Sequence, residues 1–311
     1  MKRNKIFVGV GAMCLAVAAG SALAQQQTSV PGVPVSVVVT LAPKRNKSIP
    51  PIEQQDIAVF QNRDKRPVTG FTPLGQAPMQ LMLLIDDSAR ASFDTEISTL
   101  KQFVNSLPPN IEVAVAYMRN GMAALTQNFT QDHAAAANSI RVTMGPGGAD
   151  VSPYDSLTDA VKKWPESGAQ RKEVIMISSG IEALGGGWTP DNPYVNAGIE
   201  SAQKAGVIVY TIYNPGLGHF GHGLWRTTWA QNFLSQLSDE TGGEFYGIGY
   251  GAPVSFQPFL QDILQHMQNQ YLLTFEARAE KKSGLQPVRI SVIEKDATIA
   301  APDRVYVRAG M

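Results

Sequence analysis

The central part of the chain alternates short apolar runs with stretches of helical periodicity. Apolar runs of strand length occupy residues 80–86, 111–118, 172–178, 206–213 and 244–247. Apolar positions at helical spacing occupy residues 94–107, 131–141, 155–164, 192–205 and 227–240. Strands rich in valine and isoleucine that alternate with helices are typical of a mainly parallel sheet covered on both faces. The pattern therefore predicts a doubly wound α/β domain over residues 78–252.

The two segments that flank this domain show the alternation typical of strands. In residues 25–77, Val35 and Val39 share one face of a predicted strand. In residues 253–311, a predicted helix over 254–268 is followed by further strands. Neither segment has enough strands to be stable by itself, because an isolated hairpin is only marginally stable in water. We therefore expect the two arms to pack together as a small β module, with the α/β domain inserted between them.

The first residues have the pattern of a secretory signal. A basic start is followed by an apolar stretch that ends near Ala19, and Ala22 and Ala24 form an A-x-A arrangement. The alternative is a membrane anchor, but the apolar stretch is shorter than the roughly 20 residues that span a bilayer. We expect a signal peptide over residues 1–24 that is cleaved after about Ala24. A secreted or periplasmic protein with no transmembrane anchor would result.

Composition excludes several classes of function. Cys14 is the only cysteine and lies within the predicted signal, so the mature chain has no disulfide, thiol nucleophile or thiolate metal site. The chain carries 26 basic and 26 acidic residues, and no basic block follows the signal. This balance argues against nucleic acid as a partner.

The stretch LMLLIDDSARAS, residues 81–92, changes abruptly from apolar to polar. A run that reads as a buried strand ends in Asp86, Asp87 and Ser88, with Arg90 close behind. In parallel sheets, ligand sites lie beyond the carboxyl ends of the strands. These residues therefore indicate a ligand site, or alternatively a serine that caps the following helix.

Several motifs together resemble a known family. A strand that ends in D-x-S, a helix a few residues later, and the later strand VIMISSG resemble the von Willebrand factor type A (VWA) domain. The ordered set PPIEQQDIAVFQNRDKRPVTGF, LMLLIDDS, KAGVIVYTI, TGGEFY and QYLLTFEA resembles, more narrowly, the VWA-related domain of secreted acidobacterial proteins. The resemblance covers nearly all of the chain after the signal. It implies a Rossmann-like α/β fold and a role in protein recognition or adhesion.

The resemblance also implies where a metal ion would bind. Family members with a working site hold a divalent cation through a D-x-S-x-S loop, a threonine from a second loop and an aspartate from a third. Asp86 and Ser88 match the first two ligands, but Arg90 stands where the second serine belongs. A guanidinium about 4 Å from a divalent cation would repel it by several kcal/mol at an effective dielectric near 20. We hypothesise that Arg90 pairs instead with Asp86 or Asp87. The alternative is that Arg90 points to solvent.

The second and third loops also depart from the family pattern. In GPGGADVSPYDSL, Ala149 follows the glycines where a threonine is expected, which leaves Asp150 or Ser152 as substitutes. In MISSGIE, Ser179 occupies the place of the acidic ligand. The sequence therefore predicts a degenerate metal-ion-dependent adhesion site and no cofactor. The alternative is a site that still binds Mg²⁺ through Asp86 and Ser88.

A glycine-rich insertion over residues 213–229 is a second candidate surface. Phe220 and Trp225 would form an interface if they were exposed. Alternatively, they cover the core or begin the following helix. His219 and His222 lie in the same segment, but no neighbouring carboxylate or cysteine completes a zinc site.

These observations favour recognition over catalysis. The sequence contains no G-x-S-x-G elbow, no H-E-x-x-H helix and no phosphate-binding glycine motif. We therefore expect an exported module that binds a protein partner without a metal ion. The alternatives are metal-dependent ligand binding and, with less support, a hydrolase whose site the sequence does not reveal.

Overall fold

Strands from both ends of the chain surround a central α/β sheet. The computed structural model describes residues 32–44, 48–89, 91–145, 152–182, 191–216, 223–247 and 249–310. Residues 1–24, the predicted signal peptide, lie outside this part of the chain. The first strands are β1 (Gly32–Pro43), β2 (Ile57–Gln61), β3 (Asp64–Arg66) and β4 (Val68–Pro73).

Six further strands form the central sheet. They are β5 (Met79–Asp86), β6 (Ile111–Arg119), β7 (Met122–Thr130), β8 (Arg171–Ser178), β9 (Val207–Tyr213) and β10 (Phe245–Tyr246). Their order is β10-β9-β8-β5-β6-β7, and every neighbouring pair is parallel except β6 and β7. The prediction of a mixed α/β chain with a mainly parallel sheet is confirmed.

Helices cover both faces of this sheet. They are α1 (Ile97–Ser106), α2 (His133–Asn138), α3 (Pro153–Lys162), α4 (Pro193–Ala205), α5 (Leu224–Thr241) and α6 (Gln257–Gln268). Every residue of β5 is buried, because alternate side chains face opposite layers. Leu83 and Ile85 pack with α1, α2 and α6, whereas Met82 and Leu84 pack with α3, α4 and α5. None of the described helices is long and apolar enough to cross a membrane.

Strand β7 is an element that the apolar pattern did not predict. It lies at the edge of the sheet and most of its side chains are exposed or half-buried, so its sequence lacks the apolar run of the inner strands. Asn120 and Gly121 form its connection to β6, with φ angles of 52° and 68°. Positive φ at both positions is the geometry of a type I′ hairpin, for which Asn-Gly is a preferred sequence.

Two four-stranded sheets complete the described chain. The remaining strands are β11 (Gln270–Arg278), β12 (Gly284–Val292), β13 (Ala297–Ala300) and β14 (Arg304–Val307). The sheet orders are β13-β1-β11-β4 and β14-β12-β2-β3, so each sheet combines strands that precede and follow the α/β region. Side chains from both sheets, including Val39, Phe275 and Val288, form one apolar cluster. The two sheets are therefore held together by a shared core.

Buried polar side chains lie where β8 begins. The Arg171 guanidinium is buried and donates hydrogen bonds to the Met267 carbonyl at 2.8 Å, to Gln270 Oε1 at 3.2 Å and to the Ala77 carbonyl at 2.8 Å. Glu173 is fully buried two residues later, and neither of its carboxylate oxygens has a hydrogen-bond partner among the described residues. Burial raises the pKa of Glu173 to about 7. The polar Gln270 side chain and the positive charge of Arg171 lower this pKa, but by less than burial raises it.

We expect Glu173 to make the protein less stable as pH rises. The unfolded chain loses this proton near pH 4.5, whereas the folded chain keeps it until about pH 7. Stability from this group is therefore complete below pH 4.5 and lost as pH rises through 7. In urea denaturation, the free energy of unfolding of the wild type relative to Glu173→Gln should fall by about 2–3 kcal/mol between about pH 5 and pH 8. Parallel pH profiles for the two proteins would contradict this expectation.

Candidate functional site

The first carboxylate after the buried run of β5 is bound by hydroxyl and amide groups. Asp86 is 7% exposed. Its Oδ1 accepts hydrogen bonds from the Ser88 amide at 2.9 Å and the Ser88 hydroxyl at 2.6 Å. Its Oδ2 accepts one from the Ser178 hydroxyl, at the end of the neighbouring strand β8, at 3.2 Å. Asp86 is thus held by protein groups on both oxygens.

The loop after β8 brings a further hydroxyl to the same place. Ser179 is buried, and a Cβ added to Gly216 would lie 3.4 Å from Ser179 Oγ and 3.5 Å from Ser88 Oγ. Gly216 also forms a backbone bridge with Ala89, so the chain after β9 approaches both serines closely. Gly180 has φ of +68°, and a Cβ there would lie 2.6 Å from the Ala230 carbonyl oxygen. Close packing against α5 therefore requires glycine where the chain turns out of β8.

The second carboxylate is bound from the other side of β5. Asp87 is 1% exposed. Its Oδ1 accepts hydrogen bonds from Arg141 Nη1 at 2.8 Å and the Met144 amide at 2.9 Å. Its Oδ2 accepts hydrogen bonds from Arg119 Nη1 and Arg141 Nη2, both at 3.1 Å. Four donors fill the acceptor capacity of a carboxylate.

The arginines outweigh the cost of burying this charge. Burial alone would raise the pKa of Asp87, but hydrogen bonds from Arg141 and Met144 and the positive charge of Arg141 produce a net lowering. The Arg141 guanidinium also lies 3.8 Å from the centroid of the Tyr117 ring. The Tyr117 hydroxyl accepts from the Arg141 amide at 2.8 Å and donates to the Arg141 carbonyl at 2.7 Å. Arg141 is therefore fixed by contacts to both its backbone and its side chain.

A third carboxylate lies among the hydroxyl groups of the second and third loops. Ser152 begins helix α3 as its N-cap and accepts a hydrogen bond from the Asp155 amide at 3.1 Å. The Ser152 hydroxyl donates to Glu182, which is 4% exposed. The Tyr154 hydroxyl donates to the Gly180 carbonyl at 3.2 Å. Burial raises the pKa of Tyr154 well above its ordinary value, and the nearby charge of Glu182 adds to this shift.

The structure divides the residues that the sequence grouped into one site. Asp86, Ser88 and Ser179 lie together, whereas Asp87 is bound by arginines and Ser152 caps α3. Among the described residues, the cations beside Asp87 are Arg119 and Arg141. Arg90, Asp150, Phe220, His219 and His222 lie outside the described residues. Ser88 donates to Asp86 and does not cap α1, whose N-cap is Glu96.

Four residues of this region were missed by the sequence reasoning. These residues are Arg119, Arg141, Ser178 and Glu182. A signal existed for Arg119, because it directly follows the predicted strand 111–118 and must reach the same sheet edge as Asp86. The sequence contains no such signal for Arg141, because Arg141 is 54 residues from Asp87 in the chain.

The described residues do not fit a magnesium site. Mg²⁺ requires about six oxygen ligands in octahedral geometry, usually including one or two carboxylates. Asp86 offers one carboxylate whose oxygens already accept three protein hydrogen bonds, and Ser179 offers a neutral hydroxyl. Across the described ranges, no group of three or more carboxylate, histidine or cysteine side chains is placed to hold an ion.

The structure places Trp225 in the first turn of α5. Its side chain is 66% exposed, and its ring makes an edge contact with Trp229 at 5.9 Å between centroids. Trp229 is half-buried and contacts the buried Phe233. Trp225 is therefore mostly exposed at the start of α5.

The chain is weakly similar in structure to several known proteins. No family model and no curated protein matches the sequence. The chain is similar to an aerotolerance-related membrane protein from Bacteroides fragilis, with 13% identity and a TM-score of 0.44 over 61% of this chain and 98% of that one. It is similar to the type V pili tip protein Mfa5 from Porphyromonas gingivalis, with 12% identity and a TM-score of 0.45 over 90% of this chain and 67% of that one. Similarity to the SpRpn10 VWA domain has 14% identity and a TM-score of 0.40, over 60% and 95% of the two chains.

We expect Asp87→Asn to destabilise the fold strongly. The variant removes the negative charge on which two guanidiniums converge and turns an amide NH₂ toward their donors. The free energy of unfolding should fall by about 2–4 kcal/mol in urea denaturation. The matched control is Asp64→Asn, whose carboxylate lies 3.8 Å from Arg278 on the surface. The control should change stability by about 0.5 kcal/mol or less, and equal effects for both variants would refute the role assigned to Asp87.

Replacement of Trp225 separates a surface role from a core role. Because the side chain is mostly exposed, Trp225→Ala should lower the free energy of unfolding by less than about 1 kcal/mol. Trp229→Ala, which removes a ring packed against Phe233, should cost about 2–3 kcal/mol. Thermal and urea denaturation measure both effects. A loss at Trp225 as large as that at Trp229 would assign Trp225 to the core.

Proposed function

We propose that this chain is an exported VWA-type module that binds a protein partner without a metal ion. The binding surface is the sheet edge where β5, β6 and β8 end, together with the loops beside it. Within that type, the ordered motifs of the sequence favour the VWA-related domain of secreted acidobacterial proteins. Support comes from the mainly parallel sheet and from the position of the D-x-S residues at the carboxyl end of its buried strand.

The observation that carries the proposal is the internal binding of both carboxylates. Asp86 is held by Ser88 and Ser178, and Asp87 is held by Arg119, Arg141 and the Met144 amide. Each negative charge is compensated by protein groups, so the site does not depend on a cation for its structure. Preorganised loops on a rigid sheet are suited to recognition.

Two other functions have less support. Metal-dependent ligand binding would require Asp86 to give up hydrogen bonds and Ser179 to replace a carboxylate. A hydrolase of the serine–histidine–acid type would require a histidine beside one of the clustered serines. The described histidines bond elsewhere, since His133 contacts the Ile111 carbonyl and His266 contacts Tyr246.

Calorimetric titration tests the metal-independent site. We expect no saturable heat with Mg²⁺ or Mn²⁺ up to about 1 mM, the weak end of extracellular divalent sites. The double variant Arg90→Ser, Ser179→Asp restores two ligand types of the family pattern and should gain Mn²⁺ binding. Tight Mg²⁺ binding by the wild type would refute metal independence.

Crosslinking tests whether the sheet edge recognises a protein. A photoreactive benzoylphenylalanine at Met144, which is 63% exposed beside this edge, should form adducts in periplasmic or culture-medium extracts, and chelator should leave the adducts unchanged. The same group at exposed Lys281, in the connection between β11 and β12, is the control. Adducts that disappear with chelator would support the metal-dependent alternative, and equal adducts at both positions would remove the support for this edge.

A further inference from the structure

Two arginines share one carboxylate at the binding edge. Among the described residues, Asp87 is the only ion-pair partner of Arg119 and of Arg141. Asp87 is buried, whereas the arginine side chains are 35% and 31% exposed. One negative charge neutralises one of the two guanidiniums, so the cluster presents a net positive charge to solvent.

The two arginines are held differently. Arg141 is stacked on Tyr117 and donates to Asp87 and to the Val142 carbonyl, so much of its donor capacity is used. Arg119 makes one hydrogen bond, from Nη1 to Asp87, among the described residues. A guanidinium has five N–H donors in a planar fork that matches a carboxylate. Arg119 therefore keeps donors available for a second carboxylate, while Arg141 keeps the first one in place.

Exposed apolar residues occupy backbone positions next to these arginines and to Asp87. Met122 lies opposite Arg119 across the β6–β7 hairpin, and it is 54% exposed. Val142 and Met144, on either side of Thr143, are 56% and 63% exposed. The Met144 amide is itself bound to Asp87, and the type I′ turn at Asn120 and Gly121 fixes the hairpin. Flexible methionine side chains on a fixed backbone form an adaptable apolar surface.

We infer that Arg119, Arg141, Met122, Val142 and Met144 form a docking surface for an acidic protein segment that carries an apolar side chain. The inference rests on the proposed recognition function and names the chemistry of its partner. A partner carboxylate pairs with the free donors of Arg119, and an adjacent apolar side chain packs among the methionines. Arginine and methionine are enriched at protein interfaces, and complementary charge sets the register of docking.

A peptide library tests the composition of the partner. A phage-displayed library of random dodecapeptides is selected on the whole protein at low salt. We expect enriched peptides to contain Asp or Glu beside Leu, Ile, Phe or Met. The affinity of the best synthetic peptide should fall about tenfold with Arg119→Gln, and by a similar factor when its acidic residue becomes the amide, because each change removes a charge-assisted hydrogen bond.

Two further variants separate charge from packing. Met144→Ser should weaken the peptide about threefold to tenfold without disturbing the Asp87 cluster, because it retains the backbone amide. The control is Arg289→Gln, an exposed arginine over the Phe60 ring in the outer sheet, which should leave affinity unchanged. Thermal denaturation verifies that each variant is folded. We expect this for Arg119→Gln because the Arg119 side chain makes one hydrogen bond within the described part of the chain.

The outcomes distinguish this inference from the proposed function. Peptides without acidic residues that still depend on Met144 would leave recognition at this edge standing and overturn the acidic partner. Acidic peptides whose affinity is the same for wild type and Arg119→Gln would also overturn it. Selection that yields no peptide sensitive to any change at this edge would overturn both proposals.

Discussion

Two consecutive carboxylates at the end of a buried strand impose the main constraint on this structure. An ionised carboxylate that leaves water must be compensated by hydrogen bonds or opposite charge. Asp86 is the last residue of β5 and Asp87 begins the turn that follows, and the two carboxylates have separate sets of partners. Each neighbouring strand contributes a hydrogen-bond donor to one of the carboxylates. Ser178 of β8 donates to Asp86, and Arg119 of β6 donates to Asp87. The position of β5 between these two strands makes both contacts possible.

The two carboxylates have partners of different charge. Around Asp86, the partners among the described residues are neutral hydroxyl and amide groups. Around Asp87 the partners include two guanidiniums, which bring positive charge to the surface toward β7. Asp87 also binds the Met144 amide and accepts the Gly145 amide at its carbonyl, at 2.9 Å, so it fastens the segment after α2 to the sheet. A single buried residue thereby determines both local charge and loop position.

The apolar pattern predicts the inner sheet well because burial on both faces leaves a strong signature. Strand β5 is the clearest case, since all its residues are buried and its apolar run is continuous. Strand β7 was not predicted because an exposed edge strand lacks that signature, although the Asn-Gly sequence of its turn was recognisable.

The site was predictable only in part. The D-x-S residues can be recognised from the local sequence. The Asp87–Arg141 pair cannot, because the two residues lie far apart in the chain and no local pattern links them. The Ser152–Glu182 pair likewise depends on how two loops meet.

The interleaving of strands in the outer sheets bears on how the chain reaches its native state. Strand β1 lies between β11 and β13, and the hydroxyls of Ser36 and Thr274, 238 residues apart, are joined at 2.9 Å. Such distant pairing gives a high contact order, which slows folding. During synthesis β1 precedes β11 and β13, and it cannot join its sheet until the α/β region and β11 have followed. Until then its valine-rich face lacks its native strand partners, and unpaired apolar strands favour aggregation of a nascent chain.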